Sequence, residues 1–113
     1  MLSAAHASRY HWGQVGGPLQ ASIGEWQISR VNAVLGRLEA AEHHGRRALH
    51  YAKAGHLEPF YVAYAYEALG RAARLAGDGR ARDEWVRRAT RLAGKVADPD
   101  DRRMLLEDLA ELA

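Results

Sequence analysis

The chain has 113 residues, 48 % of them apolar and 27 % charged, with 16 lysines and arginines against 14 acids. That is the length of one domain and the composition of a globular chain rather than a disordered one. The lack of cysteine excludes a disulfide scaffold, a zinc–thiolate centre and a cysteine nucleophile. The near balance of charge argues against a nucleic-acid binder, which usually carries a cationic excess, and no run approaches the ~18 apolar residues of a membrane span.

The predicted elements are all helical. Residues 2–15 read as a helix with an apolar flank of Leu2, Ala5, Tyr10 and Val15. Residues 1–6 show neither the basic n-region nor the apolar h-region of a secretion signal, so a cytoplasmic location is expected. Gly16, Gly17 and Pro18 break the chain, and proline suits a first helical turn. A helix over 19–36 follows, with Ile23, Trp26, Val31, Val34 and Leu35 at three- and four-residue steps. The next covers 38–54 and stops at Gly55 and His56. After Glu58 and Pro59 comes a helix over 59–76 that carries Phe60, Tyr64 and Leu69 among small residues. Gly77, Asp78 and Gly79 separate it from a helix over 79–96. Asp98 then offers an N-cap to a last helix over 99–111, with Asp100 and Asp101 in its first turn. No run alternates as a half-buried strand does.

A repeat runs through this order. An offset of 41 places Gly36 on Gly77 and Ala40 on Ala81; carried on, it places Arg46, Arg47 and Ala48 on Arg87, Arg88 and Ala89. Carried back, it places Arg30 on Arg71 and Ala33 on Arg74. Two helix–turn–helix units result, 19–54 and 59–96. Each has small residues where two helices cross closely: Gly36, Ala41 and Ala48 in the first, Gly70, Gly77 and Ala89 in the second. This pattern resembles the tetratricopeptide repeat, and the chain is similar to short bacterial proteins of that fold. It departs from the motif in having Asn32 and Ala73 where an aromatic is usual and Arg82 where alanine is usual. Its period also exceeds the usual ~34 residues. The resemblance implies one all-α domain, an αα-solenoid of about six antiparallel helices. Residues 2–15 would be the remnant of a preceding unit, and 99–111 a polar cap carrying Arg102, Arg103, Glu107, Asp108 and Glu111. An uncapped N-terminal end would allow a homodimer.

The first helices of such units line a concave groove. Ile23, Trp26, Gln27 and Arg30 would face it from one unit, and Tyr64, Glu67, Arg71 and Arg74 from the next. Stacked guanidinium groups grip carboxylates in bidentate fashion, and flat aromatic rings add contact area. The expected function is therefore a non-enzymatic protein-interaction module for an acidic or extended peptide, with no cofactor. Against this stands a plainer arrangement, in which Arg30 and Arg71 pair with Glu25 and Glu67 as surface ions. A second class of function is a small-ligand or enzymatic site made by His6, Arg9 and His11 with Glu25 and Arg30. Ser8 or Ser29 could complete a Ser–His–acid set there, but the chain has no nucleophile elbow. A third is a nucleic-acid accessory role for Arg80, Arg82, Arg87, Arg88 and Arg91. Asp78, Asp83 and Glu84 lie among them and favour a solvated face instead. Six histidines raise the question of a metal. Glu39 and His43 share a helix face, yet neither Glu-x-x-His nor His-Glu-x-x-His occurs, so no metal site is expected.

Overall fold

A computed structural model of the chain describes residues 17–113. They fold as an all-α unit of five helices: α1 (Pro18–Val34), α2 (Leu38–Ala54), α3 (Pro59–Leu75), α4 (Gly79–Ala93) and α5 (Pro99–Ala110). The helix expected over 2–15 lies outside the described residues. Prolines begin α1, α3 and α5, where the missing N–H is one that no helix would use. Asp78 caps α4 by accepting from the Ala81 N–H, and Asp98 caps α5 by accepting from the Asp100 and Asp101 N–H groups.

α1 and α4 end two to three residues earlier than the sequence periodicity suggests. α1 stops because Gly36 takes φ +75. Its N–H then bonds the Ala33 carbonyl while the Arg37 N–H bonds that of Asn32, a Schellman closure that satisfies the last carbonyls. Gly77, also at φ +75, closes α3 the same way, with Gly77 bonding Arg74 and Asp78 bonding Ala73. The two turns match bond for bond at the sequence offset noted above. α4 instead ends at Gly94, and the chain folds back through Val96, which is buried.

α3 is the central helix. It packs against α1, α2, α4 and α5, and Phe60, Tyr61, Tyr64, Tyr66, Ala68, Leu69 and Ala72 along it are buried. A helix covered on most sides must be apolar on most sides, and the alanines and glycines of α3 let its neighbours come close. A Cβ at Gly70 would stand 3.2 Å from Leu112, and one on α2 at Gly45 would stand 3.2 Å from Leu69. α5 closes the end of the bundle through Leu105 and Leu109, with Leu112 just beyond it. The helix expected to be a wet cap is thus half committed to the core: Tyr64 donates to Asp108 at 2.6 Å, and Arg102 donates to the Val96 carbonyl.

Candidate functional site

α1 is apolar on two sides: it buries Ile23 and Trp26 together with two serines, and exposes further aliphatics. Ser22 and Ser29 are buried against α2, donating to the Ala48 and Ala41 carbonyls at 2.9 and 2.7 Å. On the opposite side Ile28, Val31, Val34 and Leu35 are exposed, Val34 to 75 %. Two buried hydroxyls cost little here, because helix carbonyls have a second lone pair free to accept. Four outward aliphatics at steps of three and four residues form a continuous apolar stripe, which is unusual on a free surface.

The stripe runs into a hollow of ≈ 350 Å³ between the C-terminal ends of α1 and α3, lined by Ala33, Val34, Arg71, Arg74 and Leu75. Four of these five are paired by the repeat offset: Ala33 with Arg74, and Val34 with Leu75. Arg71 is held from behind by Glu67, which is wholly buried. One Glu67 oxygen takes Arg71 Nη2, and the other accepts from Trp26 Nε1 at 2.9 Å. The Nε of Arg71 is buried and has no hydrogen-bond partner among the described residues. Arg74 Nη1 donates to the Glu111 carbonyl at 2.9 Å. The hollow therefore combines apolar walls with two guanidinium groups held at fixed places, of which Arg71 is already paired with Glu67.

The residues singled out in the sequence divide between interior and surface. Ile23, Trp26, Tyr64 and Glu67 are buried and face no open groove. Trp26 and Tyr64 pack edge to face at 5.7 Å, and Phe60 joins them at 5.1 Å from Tyr64. The rings are large and α3 is central, so burying them outweighs presenting them. Burial, with the Asp108 carboxylate beside the hydroxyl, pushes the Tyr64 phenol far up. Gln27 and Arg74 are on the surface, Arg30 and Arg71 at its edge. Arg30 does not meet Glu25; its guanidinium lies 5.7 Å over the Trp26 ring. Glu25 instead bridges to α2, contacting His44 Nδ1 at 2.6 Å and accepting from Arg47 Nε at 3.0 Å. Burial alone would raise its carboxyl, but hydrogen bonds from His44 and Arg47, reinforced by their charges, bring the net value below the ordinary one. Its proposed companions His6, Arg9 and His11 lie outside the described residues, as does Ser8. Among the described residues no group of three His, Asp or Glu is placed to hold a metal ion, and no helix is long and apolar enough to cross a membrane.

Sequence reading missed Val34 and Leu75 as site residues, although the offset that pairs Arg30 with Arg71 pairs them too. It missed His44 because its partner lies on another helix. No protein-family model, curated protein or solved structure matches the chain.

Proposed function

We propose that the protein is a non-enzymatic interaction module that holds an extended peptide along α1, with a carboxylate of that peptide in the Arg71–Arg74 hollow. One observation carries this reading: besides the face it buries through Ser22, Ile23, Trp26 and Ser29, α1 with its C-cap exposes a second apolar set, Ile28, Val31, Val34 and Leu35. A free surface gains nothing from exposed aliphatics, whereas a partner that covers the stripe recovers roughly 25 cal/mol for each Å² of apolar area buried. The exposed Arg74, which also lines the hollow, adds a donor for the carboxylate. In this reading α1–α2 and α3–α4 are two tetratricopeptide-like units of an αα-solenoid, supported by the matching Schellman turns at Gly36 and Gly77. The surface is small, so the affinity is weak unless the partner is multivalent.

The test is an immobilised peptide array that varies apolar residues and the position of a carboxylate, probed with the native protein and with Val34→Glu and Arg74→Glu. Val34 is exposed, so the first variant keeps the fold, which circular dichroism checks. Peptides with an apolar residue beside a carboxylate bind the native protein, and each variant weakens them about tenfold or more. An array that retains nothing, or variants that bind as the native protein does, would overturn the proposal.

A further inference from the structure

A second hollow, of ≈ 520 Å³, opens on another face of the molecule where α2, α3 and α4 meet, and Lys53, Tyr66, Glu84, Arg88 and Arg91 are among the residues lining it. Three of these lining residues, Lys53, Tyr66 and Arg88, are linked through ring contacts that include the neighbouring Trp85. Lys53 Nζ lies 5.7 Å from the centre of the Tyr66 ring. Tyr66 stacks on Trp85, with centroids 5.7 Å apart and planes inclined by 24°. Arg88 covers the Trp85 ring at 5.2 Å. Each ring thus holds a cationic head by its face, which fixes two side chains that would otherwise sweep through solvent. Glu84 fixes Arg88 further, accepting from its Nε at 2.9 Å, and also takes Arg87. Those bonds hold the Glu84 carboxyl below its ordinary value, so one anion serves two arginines. Lys53 and Arg91 make no ion pair with any described residue.

We propose that this hollow is a binding site for a small, soluble phosphate-bearing ligand with more than one negative charge. Three cations from two helices line a space whose one carboxylate is already engaged with Arg88 and Arg87, which leaves the charges of Lys53 and Arg91 without an anion among the described residues. A phosphate group accepts from several directions at once and so matches donors arriving from both helices. The volume lies in the range of small-molecule sites, about 300–1,000 Å³. A long nucleic acid fits less well. It needs a basic track, whereas Asp78 caps the hollow's helix α4, Asp83 lies within it, and the whole chain carries a net charge of only +2. The inference does not depend on the peptide reading, since it uses neither α1 nor the Arg71 hollow.

Inorganic pyrophosphate is the probe. It is titrated into isotopically labelled protein at about 0.15 M salt, where long-range attraction is largely screened, and the indole N–H resonances of Trp85 and Trp26 are followed. Pyrophosphate moves the Trp85 signal saturably and leaves Trp26, buried against Glu67, where it was. The double variant Lys53→Gln, Arg91→Gln changes two exposed side chains and keeps the fold, and it binds about tenfold more weakly. The double variant Arg80→Gln, Arg103→Gln removes the same charge elsewhere and binds as the native protein does. Equal weakening in both variants, a response that never saturates, or binding of a single-stranded oligonucleotide or anionic vesicle with none of pyrophosphate would overturn the proposal.

Discussion

His56 is the one described residue other than glycine with a positive φ, at 49°. It stands at the left-handed position that glycine commonly fills at a helix end. The His56 N–H bonds the Lys53 carbonyl and the Leu57 N–H bonds that of Ala52, the same closure that Gly36 and Gly77 make. Gly55, one residue earlier, is not free to take that place. A Cβ on it would stand 2.5 Å from Pro18 Cβ and 3.1 Å from Pro18 Cγ, so it is reserved for the approach of α1 to the end of α2. His56→Gly is expected to raise stability by about 0.5–1 kcal/mol, the relief of left-handed strain less the added freedom of glycine when unfolded. Gly55→Ala is expected to lower it, because the proline ring must give way. Denaturant midpoints of the two variants should move in opposite directions; two shifts of the same sign would refute this division of labour. The sequence shows a break at Gly55 and His56, but which of them turns left-handed depends on Pro18, 37 positions away, and no local pattern carries that.

At the level of helices, four-residue spacing sets Trp26 beside Arg30 and Glu67 beside Arg71. It could not say which neighbour covers them, and the covering decides their role. Once α3 is central, Trp26 and Glu67 meet across the α1–α3 contact and Arg71 becomes the charge that makes a buried Glu67 tolerable. The turn signals were more legible: Pro59, Asp98, Gly36 and Gly77 act within a few residues of themselves, and the helix ends fall close to them. Removing one partner of a buried ion pair strands the other, at about 3–5 kcal/mol. Glu67→Gln and Arg71→Met are each expected to cost about that much. The double variant keeps an acceptor for Trp26 Nε1 and strands no charge. It should therefore cost less than the two singles together, by about 1–3 kcal/mol. Urea unfolding of the four proteins closes this cycle, and strict additivity would mean that Glu67 and Arg71 do not depend on each other.

Across the whole molecule, acid should loosen the α1–α2 contact through Glu25. Its carboxyl ionises more readily in the folded protein than in the unfolded chain, where it returns to its ordinary value of 4.5. Above that value both states are ionised, and the bonds to His44 and Arg47 favour the fold in full. As the pH drops below it, the unfolded chain takes up the proton first, and the advantage of the fold drains away until the folded carboxyl is protonated too. Glu84 is shifted the same way, but it is solvated and tied within a single helix, so its share is small. Glu25→Gln should thus be less stable than the native protein by about 1 kcal/mol at pH 7. That gap should hold down to about pH 5 and close as the pH falls through the acidic range below 4.5. Urea unfolding of both proteins at several pH values measures it directly. A gap of constant size would show that Glu25 acts through its shape in the α1–α2 interface rather than its charge, whereas a closing gap ties the acid sensitivity of the fold to the one carboxylate that bridges these two helices to a histidine and an arginine.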